Sequence, residues 1–361
     1  MNLYSLGWDP FFEKHFQPHS ANGLIPARVA VEHGSAYRLL TEDGPSTARC
    51  SGRFLHQLID RSDRPTVGDW VAIARKPGAS QDDIQAVLPR RTQFSRAAIG
   101  KEVARQVIAA NIDTVFLVTG LDQNYRLRRI ERYLAVAAES GADPVIILNK
   151  TDVCPDSDAR LAEVEAIARG VPVIAVSAIT GEAFAEISLF IRPGKTIALL
   201  GSSGVGKSTL VNRLLGEELQ DTGEARENDG RGRHTTTTRN LIVLPNGGIL
   251  IDTPGLREIG IWDVGPGLES TFDDIAELER RCRFTDCSHD NEPGCAIREA
   301  LEDGTLDPDR YISWLKLLKE QAWVARQQDE ALKRRHAAQW KRIATAYRQK
   351  TRFEQKQQDQ Q

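Results

Sequence analysis

The order of two short motifs constrains this 361-residue chain more than any other feature. The run Gly-Ser-Ser-Gly-Val-Gly-Lys-Ser at 201–208 has the pattern of a phosphate-binding loop. Asn149-Lys-Thr-Asp152, which has the pattern of a guanine-reading loop, lies upstream of it. In ordinary domains that carry both motifs, the phosphate loop comes first. The sequence therefore predicts an α/β nucleotide-binding domain whose chain order is circularly permuted.

The composition of the phosphate loop matches the chemistry of an anionic ligand. Its glycines allow positive φ angles, so that backbone N–H groups turn inward around a phosphate; they are Gly201, Gly204 and Gly206. Lys207 is expected to neutralise the β- and γ-phosphates as a catalytic group, and the Ser208 hydroxyl to bind Mg²⁺. The apolar run 196–200 predicts the strand that leads into the loop, and a helix is expected to follow. The other residues expected around the nucleotide are Ser202, Ser203, Val205 and Thr209.

Asp152 favours guanine over adenine. Its carboxylate can accept hydrogen bonds from both N1–H and the 2-amino group of guanine, a pair of donors that adenine lacks. Asn149 is expected either to bond the N7/O6 side of the base or to brace the loop, and the stem of Lys150 to cover the base plane. Thr151 completes this motif. The rival interpretation, a P-loop ATPase or nucleotide kinase, would need no such loop.

Ser177-Ala178 is the expected third part of the guanine site. The apolar runs 145–148 and 173–176 predict buried strands that lead into the guanine-reading loop and into this pair. Ser177-Ala178 resembles the fifth GTPase motif, in which a backbone N–H contacts guanine O6. Together these motifs predict a GTPase domain.

Asp252-Thr-Pro-Gly255 is the candidate second switch. It follows a strand-like apolar run, so Asp252 is expected near the phosphate loop, holding Mg²⁺ through a water molecule. The backbone N–H of Gly255 is expected to contact the γ-phosphate. A polar, glycine-containing segment at 230–239 is the candidate first switch, in which Thr236 or Thr237 is expected to complete the Mg²⁺ shell.

The position after Gly255 predicts slow intrinsic hydrolysis. Many GTPases place there the glutamine that orients the attacking water, whereas this chain has Leu256. An aliphatic side chain cannot orient water, so another group must complete the site. His234 is the candidate catalytic group, and an ordinary solvated loop histidine is the alternative.

Three of the five cysteines cluster with a histidine near the C-terminal end of the sequence. Three thiolates and one imidazole meet the four-ligand requirement of a structural zinc ion. The ligands would be Cys282, Cys287, His289 and Cys295. Disulfides are the alternative, and they are disfavoured because the chain otherwise has the character of a cytosolic protein.

The segments around the nucleotide domain have different compositions. Short strand-like runs at 27–31, 37–40 and 70–73 predict a small β-barrel, for which an OB-fold is the first choice. An electropositive barrel face is plausible, since Arg49, Arg53, Arg61, Arg64, Arg90, Arg91 and Arg96 are available. Residues 1–22 form an aromatic arm expected to pack on the barrel or on a partner. Residues 321–361 carry 10 Lys/Arg and 4 Asp/Glu, and a helix is expected over 311–349; RNA contact or a solvated helix face would explain that charge.

The predicted organisation is a multidomain α/β protein. The arm is followed by an OB-fold β-barrel at 23–95, a circularly permuted P-loop GTPase domain at 96–268 and a zinc-binding helical domain at 269–361. The formal net charge is only −3. No apolar run approaches the roughly 20 residues of a membrane span, so a cytoplasmic protein without a membrane partner is expected. Nothing in the sequence suggests more than a monomer.

These motifs, in this order, resemble one family along nearly the whole chain: the circularly permuted, ribosome small-subunit-dependent GTPases called RsgA or YjeQ. The resemblance implies a role in late maturation of the small ribosomal subunit, with its rRNA as partner. It also implies GTP hydrolysis to GDP and phosphate that is stimulated by the subunit and times release. Zinc and Mg²⁺ are the implied metals, and the hydrophobic Leu256 matches the family. The alternative is an RNA-binding assembly chaperone that uses GTP only as a binding switch.

Overall fold

The computed structural model describes residues 2–58, 60–76, 78–98, 104–216, 240–252, 265–290 and 292–326. Within these ranges, no helix has both the length and the apolar composition needed to cross a membrane.

A closed five-stranded barrel follows the N-terminal arm. Its strands are β1 (Ile25–His33), β2 (Ala36–Thr41), β3 (Gly44–Cys50), β4 (Trp70–Ala74) and β5 (Asp82–Val87). They pair in the order β1-β2-β3-β5-β4, and β4 pairs back onto β1, so the barrel has no open edge. Only β3 and β5 pair in parallel. The predicted OB-like barrel is confirmed.

The aromatic arm packs on the barrel. A 3₁₀ helix (Leu3–Leu6) and helix α1 (Pro10–Ser20) bury Trp8, Phe12 and Phe16 against Trp70 of β4. The Trp8 and Trp70 rings meet edge to face with centroids 4.7 Å apart. The arm therefore covers the barrel, which was one of the two expected placements.

A helix lies between two of the barrel strands, and a hairpin links the barrel to the next domain. Helix α2 (Gly52–Gln57) follows β3, and the hairpin consists of β6 (Gln93–Ala98) and β7 (Ala104–Ala110). Arg28 of β1 is buried, and its guanidinium donates to the Thr196 hydroxyl at 2.7 Å and to the Leu6 carbonyl. Desolvation lowers the pKa of Arg28 to about 10, which still leaves the side chain charged at neutral pH. One buried side chain thus joins arm, barrel and nucleotide domain.

The nucleotide domain is built on a mostly parallel sheet. Its strands are β8 (Thr114–Gly120), β9 (Asp143–Asn149), β10 (Val173–Val176), β11 (Thr196–Leu200), β12 (Asn240–Val243) and β13 (Ile249–Asp252). Their order is β10-β9-β8-β11-β13-β12, and all but β12 are parallel. Its helices are α3 (Leu127–Ser140), α4 (Ser157–Ala168), α5 (Phe184–Ser188) and α6 (Lys207–Leu215).

This topology places the predicted motifs at one edge of the sheet. The guanine-reading loop follows β9, Ser177-Ala178 follows β10, and the phosphate loop follows β11. In open α/β sheets, ligands bind outside the carboxyl ends of the strands, where these three loops lie. The circularly permuted P-loop fold is confirmed.

Helices form the last part of the described chain. They are α7 (Gly265–Thr271), α8 (Asp273–Arg281), α9 (Ala296–Glu302) and a helix over 308–326, here α10. Helix α7 packs closely on α3, since a Cβ at Gly267 would lie 2.3 Å from the Ala135 carbonyl oxygen. The predicted C-terminal helix is present as far as residue 326, and its remainder lies outside the described residues. The domain limits remain predictions; positions 95/96 and 268/269 fall within β6 and α7.

Candidate nucleotide site and metal centre

Close packing around the phosphate loop explains two of its glycines. A Cβ at Gly201 would lie 2.4 Å from the Val118 carbonyl oxygen of β8. Gly206 has φ of 94°, and a Cβ there would lie 2.2 Å from the Asn149 amide nitrogen. Any side chain at either position would push the loop away from its neighbours, and at Gly206 it would also strain the backbone.

Lys207 is held at the start of α6. Its Nζ donates to the carbonyl oxygens of Gly201 at 2.7 Å and Ser202 at 2.5 Å, and the residue is 8% exposed. Ser203 and Gly204 are exposed, while Ser208 and Thr209 are partly exposed in the first turn of α6. The loop therefore turns its middle residues to solvent, with an ammonium group and a helix N-terminus behind them.

Asn149 braces the three loops. Its side chain is buried; Nδ2 donates to the Val205 carbonyl at 2.9 Å, and Oδ1 accepts from the Ala178 N–H at 2.9 Å. One amide therefore connects the guanine-reading loop to the phosphate loop and to Ser177-Ala178. These contacts are those of the expected bracing role, and contact of Asn149 with the N7/O6 side of the base stays a prediction.

Lys150 forms a second connection to the phosphate loop. Its φ is 72°, and its Nζ donates to the Gly204 carbonyl and to Asp122 Oδ2, both at 2.6 Å. Burial opposes ionisation of Asp122, but its hydrogen bonds to Lys150 and Asn124 outweigh burial and lower its pKa. Asp122 was not predicted from the sequence, although a carboxylate two residues past the end of β8 lies at the edge where the site forms.

Asp152 lies beside the loop after β10. Its Oδ1 accepts a 2.5 Å hydrogen bond from the Ser177 hydroxyl, and that hydroxyl accepts from the Thr180 N–H at 3.1 Å. Thr151 Oγ1 donates to Glu182 at 3.1 Å. Arg213 of α6 donates to the Ala178 and Ile179 carbonyls, both at 3.0 Å, so the helix after the phosphate loop also supports this loop. This role of Arg213 was also not predicted from the sequence.

The Cys/His cluster has the geometry of a zinc site. The four candidate ligand atoms, from Cys282, Cys287, His289 and Cys295, all lie within 4.8 Å of one another. Tetrahedral zinc with ordinary Zn–S and Zn–N bonds requires S···N separations of about 3.6 Å. The observed distances from His289 Nδ1 to Cys282 Sγ and Cys295 Sγ are 3.7 and 3.5 Å.

The surroundings of His289 also suit a metal ligand. Its other ring nitrogen, Nε2, lies 3.4 Å from Glu279 Oε1 of α8. A carboxylate on the far side of a ligating imidazole orients the ring and raises its basicity. The residues therefore fit a Cys₃His zinc ion. The shell leaves no open position, so its role would be structural.

Comparison with known proteins identifies the family. A sequence model described as RsgA GTPase matches residues 87–262. A protein from Opitutus terrae named "Small ribosomal subunit biogenesis GTPase RsgA" is 52% identical, over 98% of this chain and 99% of its own length. The chain belongs to the RsgA GTPase family. A protein of the same name from Syntrophotalea carbinolica is 46% identical, covering 92% of this chain and 93% of its own.

A solved structure supports the same assignment. The crystal structure of YjeQ from Thermotoga maritima matches with a TM-score of 0.61 and 28% sequence identity. The match covers 83% of this chain and 99% of that chain. The RsgA-type architecture therefore extends beyond the nucleotide domain to the barrel and the C-terminal helices.

In this RsgA-family chain, the residues expected around Mg²⁺ are only partly described. Asp252 ends β13, which pairs with the phosphate-loop strand β11, so it lies at the same edge as Ser208. The predicted switch residues His234, Thr236, Thr237, Gly255 and Leu256 lie outside the described residues.

Proposed function

We propose that this chain hydrolyses GTP to GDP and phosphate, and that it acts in late maturation of the small ribosomal subunit. The observation that carries the nucleotide part of the proposal is the side chain of Asn149, which holds the guanine-reading loop, the phosphate loop and Ser177-Ala178 together. A relative of 52% identity bears the name of a small ribosomal subunit biogenesis GTPase. We infer that the rRNA of that subunit is the partner, and that the protein acts in the cytoplasm as a monomer without membrane attachment.

The site residues have distinct proposed roles. Asp152 accepts from guanine N1–H and the 2-amino group, and the Ala178 N–H side of the site faces guanine O6. The loop N–H groups bind the phosphates, and the ammonium of Lys207, held by the loop carbonyls, reaches the β- and γ-phosphates. Ser208 and Asp252, with Thr236 or Thr237, would hold Mg²⁺, which supplies charge neutralisation at the phosphate oxygens.

Intrinsic hydrolysis should be slow, because Leu256 cannot orient water. We propose that the small subunit completes the site, either by positioning His234 or by contributing a group of its own. Binding energy from the subunit would then be used to assemble the catalytic geometry. The zinc ion would stabilise the C-terminal helices, and the GTP state would control binding to and release from rRNA.

Binding to subunits tests the proposal. Purified small subunits are sedimented with the protein in the presence of a non-hydrolysable GTP analogue, GDP or an ATP analogue, with large subunits as the control. Co-sedimentation with small subunits that requires the GTP analogue is expected. The Asp152→Asn variant keeps the fold but loses guanine recognition, so its co-sedimentation should not respond to the GTP analogue. Equal binding in all nucleotide states, or equal binding to large subunits, would contradict the proposal.

A further inference from the structure

We propose that Arg129 of α3 is a positioning residue for GTP hydrolysis, which holds Ser202 and thereby fixes the carbonyl oxygens that orient Lys207. The inference rests on the proposed function, because it concerns the same nucleotide site. Nothing in the sequence motifs points to this residue. Its role follows from the way α3 meets the phosphate loop.

The contact is direct. Arg129 Nη1 donates to Ser202 Oγ at 2.9 Å and to the Asn124 carbonyl at 3.3 Å. Tyr133 lies four residues further on, on the same face of α3, and its side chain lies beside Ser202. Tyr133 is buried, so this side of Ser202 is closed to solvent. The Ser202 hydroxyl is thus held against α3 by its bond from Arg129, with Tyr133 beside it.

Ser202 connects this contact to the catalytic lysine. Its carbonyl oxygen accepts from Lys207 Nζ at 2.5 Å, beside the 2.7 Å bond from the same ammonium to Gly201. The position of the Ser202 peptide therefore sets where the ammonium points. Reaction rates respond strongly to the placement of such groups, since misplacement by about 1 Å can cost about a hundredfold.

The two halves of the phosphate loop are held by different elements. Gly204 and Val205 are bonded to Lys150 and Asn149 of the guanine-reading loop. Among the described contacts, the side chain of Ser202 is held only by α3. Loss of Arg129 should therefore loosen the first half of the loop while the second half and the guanine-reading loop stay in place.

Arg129 is not needed to hold α3 itself. The helix is anchored by buried Ile130 and by Glu131, which is fully buried and bonded to Arg310 of α10 at 2.7 Å. Arg129 is only partly buried. Its removal should change the phosphate loop without unfolding the helix, which separates a positioning role from a structural one.

Intrinsic steady-state GTP hydrolysis at saturating GTP and the affinity for fluorescent GDP, both measured on the full chain, test the inference. Arg129→Ala should lower kcat by about tenfold, the value of one charge-assisted hydrogen bond, and change the GDP Kd by less than about threefold. Arg129→Lys should recover part of the rate. Arg126→Ala is the matched control, because that exposed guanidinium is bonded only to nearby carbonyls of its own loop among the described contacts.

A double-mutant cycle tests whether Arg129 acts on hydrolysis through Ser202. Ser202→Ala should lower kcat to a similar extent, and the Arg129→Ala/Ser202→Ala variant should be no slower than the slower single variant, because both changes remove one interaction. Additive losses would refute the path through Ser202. Unchanged kcat in Arg129→Ala, or equal changes in kcat, GDP affinity and melting temperature, would refute the positioning role. A wild-type chain without GTP hydrolysis would refute the proposed function, and the inference with it.

Discussion

A buried ion network should control how firmly the C-terminal helices dock on the nucleotide domain. Arg310 of α10 donates to Asp274 of α8 at 2.8 and 3.0 Å, to the Thr271 carbonyl at 2.9 Å and to Glu131 of α3 at 2.7 Å. Its guanidinium also stacks over the Phe272 ring, 4.7 Å from the centroid. Arg310 therefore connects α3 with α7, α8 and its own helix, α10.

Replacing Arg310 with methionine keeps an unbranched apolar stem but removes every one of these hydrogen bonds. Glu131 is fully buried, and its Oε2 has no hydrogen-bond partner in the described part of the chain. In the variant its charge would rely on the 2.6 Å bond from Arg128. Breaking a buried ion pair by removing one partner costs about 3–5 kcal/mol. The C-terminal helices should therefore open far more often in Arg310→Met.

Hydrogen exchange read by mass spectrometry measures this opening. Amides of α7 and α10 should exchange at least about a hundredfold faster in Arg310→Met, the factor that corresponds to about 3 kcal/mol. The matched control is Arg298→Met on α9, which removes an exposed pair with Glu302 worth at most about 0.5 kcal/mol. Adding Glu131→Gln to Arg310→Met should slow exchange again, because it removes the buried charge that Arg310 no longer helps to neutralise. If Arg310→Met exchanged no faster than the control, the network would not be what holds the interface.

Four further predictions concern the site, the metal and pH. Asp152→Asn should weaken GTP binding by about a hundredfold or more and favour XTP, whose 2-oxo group accepts from an amide; competition against fluorescent GDP measures both. Gly206→Ala should abolish GDP binding in the same titration, because its Cβ would meet Asn149. Chelation of zinc, or Cys295→Ser, should unfold the C-terminal helices, seen as rapid proteolysis there while GDP binding persists. Burial opposes ionisation of Asp274, but hydrogen bonds and charge from Arg310 outweigh burial and hold its pKa below the ordinary value. Its contribution to stability is therefore complete above the unfolded-state pKa of about 4 and is lost as pH falls through the lower folded-state pKa. Acid unfolding should show this loss, and Asp274→Asn should reduce it.

The sequence predicted best the strands that lead directly into a nucleotide-binding motif. The apolar runs 173–176 and 196–200 coincide with β10 and β11, because each is a buried parallel strand with no polar face. β3 and β5 were not predicted. Each contains a single fully buried apolar residue, Ala48 or Ile84, which is too weak a pattern to reveal a short barrel strand.

The sequence predicted the loops of the nucleotide site but not the side chains that hold those loops in place. Motif spacing identifies a loop, but Asp122, Arg129 and Arg213 gain their roles from tertiary contacts with residues distant in the chain. No local sequence pattern indicates such a contact.

The electropositive barrel face is weaker than its arginine count suggests. Arg90 forms a bidentate pair with buried Asp69 at 2.8 Å to each oxygen, and Arg91 is paired with Asp9. Both guanidinium groups support the fold, the first between barrel segments and the second at the N-terminus of α1. The sequence could not distinguish such internal arginines from those that face a partner.

GTP turnover with and without purified small ribosomal subunits tests the central claim most directly, with large subunits and ATP as controls. The account predicts slow turnover of GTP by the chain alone and a large stimulation by small subunits only. Turnover of ATP as fast as GTP, or normal GTP binding with no stimulation by small subunits, would contradict it.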